Sequence, residues 1–257
     1  MVGQPRRPEM TYPSSSPAPT LSVVIPCYNE CDYIESCLTE WSALFHEMGI
    51  TYEFVVINDG SLDGSGRVLD KLRKDSKHIR TVHQLNSGHG RAVRRGYLMA
   101  RGEWILQLDA NGCFDTTDFQ LFWDERKGTD LLVANRTHRI DSLTKRAMAK
   151  LLSFSLKTFY KVEITDPDAS FRLFRRESVM PVLDTIPKPF DAINLGMTLL
   201  MKLTTPHTVK EVRIPFRLRP TPRGRTPFRK VLQAGFHTLS EVLRLKIEPS
   251  LALPATA

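Results

Sequence analysis

Short apolar runs at residues 21–26, 52–58, 79–84, 104–108 and 130–134 alternate with segments whose apolar residues recur at helical spacing, at 32–48, 65–74 and 90–100. This alternation constrains the fold more than any other feature of the chain. Strand-length runs joined by helix-length segments imply right-handed crossovers and a largely parallel sheet, hence an α/β architecture. Nearly every run is followed by polar sequence bearing Gly or Asn: 27–30, 59–64, 86–90 and 109–112. In open α/β sheets ligands bind at the carboxyl ends of the strands. One edge of this sheet is therefore expected to carry the chemistry.

The second half is less regular. Residues 143–160, 192–203 and 228–245 read as helices, and 170–174 and 209–214 as strands. No repeat is visible, and no linker is long enough to separate independent domains. A chain of 257 residues can bury one substantial core. The expected organisation is a Pro/Ser-rich disordered tail at 1–20 and one domain over 21–227, with halves 21–135 and 136–227. A basic amphipathic helix at 228–246 and a tail at 247–257 complete it.

Charge narrows the partners. The formal net charge is +8, and the segment 210–230 holds eight basic residues against one acid, Glu211. Such a stripe suits phosphate on a small ligand, a membrane surface or nucleic acid. No helix-turn-helix, zinc or RNA-binding signature accompanies it, so no nucleic-acid partner is expected. Cys27, Cys31, Cys37 and Cys113 lack CxxC spacing or paired histidines and read as reduced, packed thiols of a cytosolic protein. No window approaches the roughly 18 apolar residues of a membrane span. The expected location is cytoplasmic, with contact to the cytoplasmic membrane face made only from the side.

Three constellations carry chemistry. Asp109-Ala110-Asn111 closes the 104–108 run. Its two oxygen-bearing side chains can converge on a hard divalent cation bridging to a diphosphate, although the same tripeptide can simply be a turn. Asn86-Ser87-Gly88-His89-Gly90-Arg91 opens a helix. Glycines admit a ligand close to the backbone, free N–H groups at the helix start favour anions, and Arg91 or Arg95 can then reach phosphate. Asp59-Gly60-Ser61-Leu62-Asp63-Gly64 follows the 52–58 run. Acidic groups there can accept from a nucleobase or a ribose, while Asp63 reads as the cap of the next helix.

Taken jointly, these segments resemble family 2 glycosyltransferases. The resemblance rests on residues 21–30 (LSVVIPCYNE), 55–64 (VVINDGSLDG), 86–90 (NSGHG) and 108–111 (LDAN), in that order and spacing. Residues 166–174 (DPDASFRLF) and 211–226 are similar to the dolichyl- or polyprenyl-phosphate sugar synthases of that family. The resemblance implies a GT-A fold, Rossmann-like, with a mixed, mainly parallel sheet. It also implies a nucleotide-sugar half at 21–135 and an acceptor half at 136–227. It implies that Pro26, Tyr28, Glu30 and Asp59 hold the nucleotide, with Gly88 and Arg91 beside the diphosphate. Asp109 and Asn111 would occupy the metal positions, for Mg²⁺ or Mn²⁺, and Arg172, Arg223 and Arg225 would hold phosphate. The implied partners are a GDP- or UDP-sugar donor and a lipid-phosphate acceptor. The chain departs from the family pattern at Asn111, a neutral ligand in place of an acid, at Cys113 for Gln, at Ala169-Ser170 for Ser-Gly, and at His89 for Lys.

The expected reaction is hexose transfer with inversion. Charge growing on the departing nucleoside diphosphate is offset by metal and arginines. A lipid-phosphate acceptor is already anionic, whereas a hydroxyl acceptor needs a base, for which Asp191 and Asp166 are the candidates. Asp191 can equally be a helix N-cap. On residues alone three alternatives stay open: a hydroxyl acceptor, a catalytically silent nucleotide-sugar-binding protein, and a nucleic-acid-binding protein.

Overall fold

The computed structural model describes residues 17–110, 114–137, 143–167, 169–204, 207–215 and 228–245. Its strands are β1 (Leu21–Cys27), β2 (Tyr52–Asp59), β3 (Ile79–Gln84), β4 (Trp104–Gln107), β5 (Leu131–Thr137), β6 (Arg172–Arg175) and β7 (Val209–Pro215). The helices are α1 (Ile34–Glu47), α2 (Ser65–Asp75), α3 (His89–Met99), α4 (Thr116–Glu125), α5 (Leu143–Tyr160), α6 (Arg176–Thr185), α7 (Ile193–Leu203) and α8 (Phe228–Leu243). All seven strands join one sheet in the order β3-β2-β1-β4-β6-β5-β7. Only β6 runs against its neighbours β4 and β5; the other pairings are parallel.

The central strands explain why their sequences are apolar runs and not alternations. Every residue of β2 is buried, as are all but Pro26 of β1, because helices cover both faces of the sheet. On one face Trp41 and Phe45 of α1 meet Phe119 of α4, with ring centroids 5.9 and 5.2 Å apart in edge-to-face geometry. Helix α4 was not expected from the sequence. Its signal is short: Asp115 caps it by accepting from the Thr117 N–H at 2.9 Å, and Phe119, Phe122 and Trp123 fill its buried stripe. Helix α6 was hidden by Pro181, which lies inside it. Arg94 of α3 ties this helix down by donating to the Leu183 and Ile186 carbonyls at 2.8 and 3.0 Å.

Glu53 staples the end of the sheet away from the site. It accepts from Ser22 Oγ at 2.7 Å, from an Arg80 guanidinium N–H at 2.9 Å and from the Arg101 backbone N–H at 2.9 Å. Burial pushes its carboxyl upward, but the bonds from Ser22, Arg80 and Arg101 outweigh it, and the group ends below the ordinary glutamate value. A depressed folded value means the stabilisation is complete above the unfolded value of about 4.3 and is lost as pH falls through the folded one. Glu53→Gln is expected to cost about 2 kcal/mol at pH 7, from the loss of charge-assisted bonds with Ser22, Arg80 and Arg101. The difference from the parent should narrow below pH 4, about the unfolded carboxyl value. Urea denaturation at both pH values checks this, and a pH-independent difference would refute it.

Candidate active site

The carboxyl ends of β1, β2 and β4 and the start of α3 enclose a cleft of about 350 Å³. Pro26, Tyr28, Glu30, Asp59, Gly88 and Asp109 all line it. Residues separated by up to 83 positions in sequence (109 − 26) are thus brought to one edge, as strand-end placement requires.

The cleft wall is held by loop-to-loop bonds. Asn29, at φ 55°, accepts from the Leu62 N–H at 2.8 Å, and its own N–H donates to Ser61 Oγ at 3.0 Å. The Glu30 N–H donates to Ser65 Oγ at 2.9 Å. Asp63 accepts from the Cys31 and Ser65 N–H groups at 3.0 and 2.9 Å. Partial burial opposes its charge, but the Ser65 and Cys31 bonds prevail and hold its carboxyl at about 2. Asp63 precedes the N-cap of α2, which is Gly64, and reaches the helix start from one residue before it.

Asp59 is 4% exposed and organises the glycine turn. Its Oδ1 accepts from Gln84 Nε2 at 2.7 Å and from the Ser87 N–H at 2.8 Å; its Oδ2 accepts from the Gly88 N–H at 2.9 Å. The carboxylate therefore borders the cleft while its bonds shape the loop at the head of α3. Tyr28, 43% exposed, lines the same cleft.

A second cleft of about 370 Å³ shares His89 and Asp109 with the first and is further lined by Arg136, Ser170, Asp191 and Asn194. Asp109 is the hinge between the two. Its Oδ2 accepts from Ser170 Oγ at 2.7 Å. Its Oδ1 is buried and has no hydrogen-bond partner among the described residues. A buried carboxylate oxygen left without a donor is costly unless a cation meets it. That oxygen fits the divalent ion expected at Asp109. Asn111, the other expected ligand, lies outside the described residues, as do Arg223 and Arg225.

Arg136 was missed by the sequence reading, although its place near the end of β5 obeys the same strand-end rule. It forms a two-pronged ion pair with Asp166, at 2.6 and 2.9 Å, with both side chains largely buried. Asp166 is thereby committed to Arg136, which argues against it as a base.

Arg172 corrects the expectation that it holds a phosphate. It is 1% exposed, and its guanidinium donates to the Asn194 carbonyl at 2.9 Å, Thr198 Oγ1 at 3.1 Å and the Ala169 carbonyl. It clamps β6 to α7 from inside the core. Arg91 is not among the residues lining either cleft; its Nε lies 3.6 Å from Asp191 Oδ1, and Asp191 lines the second cleft. Asp191 is not an N-cap. The cap of α7 is Ala192, and the N–H groups of Asp191 and Ala192 are taken by Glu241 of α8 at 2.8 and 2.9 Å.

The fold is that of a GT-A glycosyltransferase. Glucosyl-3-phosphoglycerate synthase of Mycobacterium tuberculosis, solved with Mn²⁺, UDP-glucose and phosphoglyceric acid, superposes with a TM-score of 0.65. The superposition covers 93% of this chain and 81% of that one at 17% identity. Mannosyl-3-phosphoglycerate synthase of Rubrobacter xylanophilus gives 0.61, over 88% and 73%, also at 17% identity. The chain belongs to glycosyl transferase family 2, whose profile matches residues 22–183. Among curated relatives, a dolichyl-phosphate beta-glucosyltransferase of Dictyostelium discoideum is 29% identical over 186 residues, which is 65% of this chain and 57% of that protein. An undecaprenyl-phosphate 4-deoxy-4-formamido-L-arabinose transferase of Shewanella sediminis is 31% identical over 167 residues, 64% and 50% respectively. The chain thus spans little more than half the length of these relatives.

Proposed function

We propose that this protein transfers a hexose, with inversion, from a UDP- or GDP-sugar to a polyprenyl phosphate. The observation that carries the reading is Asp109, standing where two clefts meet with one buried oxygen that has no partner among the described residues. One cleft takes the nucleotide sugar and the other the acceptor, so the sugar's anomeric carbon falls between them.

In the donor cleft Tyr28 packs against the base and Glu30 and Asp59 close the wall. The start of α3 turns its N–H groups toward the diphosphate. Asp109 and Asn111 would hold Mg²⁺ or Mn²⁺, which when bound offsets charge on the leaving diphosphate. Ser170 fixes the Asp109 carboxylate so that Oδ1 is presented to that ion.

Of the candidate bases for a hydroxyl acceptor, Asp166 is held by Arg136. Asp191, the remaining base candidate, lies between Arg91 and His237, at 3.6 and 3.3 Å. An alcohol acceptor would have to give its proton to this carboxylate. A phosphate monoester, already charged at neutral pH, needs no such step. The relatives named for dolichyl and undecaprenyl phosphate support the same acceptor class.

Lipid-linked substrate implies contact with a bilayer surface. No helix among the described residues is long and apolar enough to cross a membrane. Helices α5 and α8 pack together, with Tyr160 donating to the Val242 carbonyl at 2.7 Å, and leave Phe154, Phe159 and Phe236 exposed. Lys157, Lys161, Arg229 and Lys230 lie on the same pair of helices or at their ends. Apolar rings flanked by cations suit an anionic headgroup layer.

The test is product formation from UDP- and GDP-sugars with a short-chain polyprenyl phosphate and, in parallel, the matching polyprenol. Transfer to the phosphate alone is expected. Transfer to the alcohol alone would refute the acceptor, and nucleotide-sugar binding without transfer to either would refute the enzyme. Binding itself is read from the rise in thermal midpoint that a saturating donor produces by mass action.

A further inference from the structure

Beside the second cleft, α8 approaches the start of α7 through a cluster that the proposed reaction does not use. His237 and Glu241, one turn apart on α8, face Asp191. His237 Nε2 lies 3.3 Å from Asp191 Oδ2 and 3.5 Å from Glu241 Oε1, and the three ligand atoms all fall within 4.8 Å of one another. These separations are long for charge-assisted hydrogen bonds, which run about 2.7–2.9 Å. The two distances from His237 also match the edge of a tetrahedron around a cation with metal–ligand bonds near 2.1 Å, which is about 3.4 Å.

We propose that Asp191, His237 and Glu241 form a divalent-metal site separate from the one at Asp109, with one coordination position open. One imidazole nitrogen with two carboxylates is a ligand set that zinc takes readily. The site is preorganised. Glu241 is 8% exposed at its side chain, and its oxygens are oriented by the N–H groups of Asp191 and Ala192. Outer-shell donors of this kind fix a ligating carboxylate without using all its lone pairs. Asp191 gives Oδ1 to Arg91 and turns Oδ2 toward His237. Asp191 also lines the second cleft, so the open position adjoins the acceptor space. Bound metal would lock α8 onto α7 across residues 46 and 50 positions apart in sequence (237 − 191, 241 − 191).

The site does not depend on the transferase reading, and its test uses metal alone. The full chain carrying Asp109→Ala, which silences the expected donor-site ligand, is titrated with Co²⁺ while visible absorption is recorded. One Co²⁺ per chain is expected, with the intense band of low-coordinate Co²⁺, and Zn²⁺ should displace it. Adding His237→Gln, a half-exposed position, should weaken Co²⁺ at least tenfold and bleach the band while circular dichroism stays unchanged. Asp191→Asn should do the same. No bound Co²⁺ in the Asp109→Ala protein, or equal affinity with and without His237, would overturn the site. Neither result would touch the sugar-transfer reading, which is decided by product formation.

Discussion

Asp109→Ala is expected to lower kcat/KM for sugar transfer by at least about 10³-fold, equivalent to about 4 kcal/mol of lost transition-state stabilisation, with the fold intact. The size follows from what the carboxylate touches. Oδ1 is buried with no donor from the described residues, so the native chain tolerates an uncompensated oxygen there. A divalent ion at a diphosphate is the partner that strand-end geometry allows for such an oxygen. Removing the carboxylate removes charge neutralisation needed only as the leaving group departs, so kcat should fall more than KM rises. The structural cost is small. Ser170 loses one acceptor at 2.7 Å but opens onto a cleft, where water replaces it. Steady-state kinetics with a UDP- or GDP-sugar and polyprenyl phosphate, before and after EDTA, provide the check. EDTA should reduce the parent to near the level of the variant and leave the variant almost unaffected. A variant within tenfold of the parent, or a parent indifferent to EDTA, would remove Asp109 from its assigned place.

Much of the donor cleft was legible because strand ends in a parallel sheet are a one-dimensional signal. An apolar run followed by Asp, Asn or Gly fixes both where a side chain lies and which way the chain turns. Pro26, Asp59, Gly88 and Asp109 could be placed in this way and lie on one cleft. What a side chain does after it arrives was less legible. Asp59 was read as a ligand for the nucleotide, yet its oxygens accept from Gln84, Ser87 and Gly88, partners that exist only once β3 lies beside β2. Arg172 was read as holding phosphate because its segment, residues 166–174, resembles the polyprenyl-phosphate sugar synthases. Its role is internal, set by α7 carbonyl and hydroxyl groups that no local pattern announces. Arg136 was overlooked because its partner Asp166 is 30 positions away and the pair forms only across β5 and the approach to β6. The capping of α7 by Glu241 was invisible for the same reason: the donor groups and the acceptor belong to different helices. Helices α4 and α6 escaped because one is short and the other contains Pro181.

Gly90→Ala is expected to destabilise the protein by about 3 kcal/mol and to impair both clefts together. Local propensity predicts the opposite sign. Gly90 lies in the first turn of α3, and replacing a helical glycine by alanine gains up to about 1 kcal/mol. Tertiary contact overrides that gain. A Cβ at Gly90 would lie 2.0 Å from the Asp191 carbonyl oxygen and 2.6 Å from its carbon. These are backbone atoms, which cannot rotate aside as a flexible side chain would. Neither partner can withdraw freely. The head of α3 is held by Asp59 through Gly88, and its middle by Arg94 on α6. The Asp191 segment is held by Glu241 from α8. Overpacking against restrained backbone costs about 1–3 kcal/mol, and more where both sides are fixed. The displacement that relieves it must move His89, which lines both clefts, or Asp191, which lines the second. Donor affinity and transfer rate should therefore fall in parallel, whereas Asp109→Ala should separate them. Urea unfolding at neutral pH gives the stability, and a donor titration by thermal shift gives the affinity. A variant as stable as the parent, or more so, would mean that α3 and the Asp191 segment do not meet, and that the two clefts are not built against a common wall.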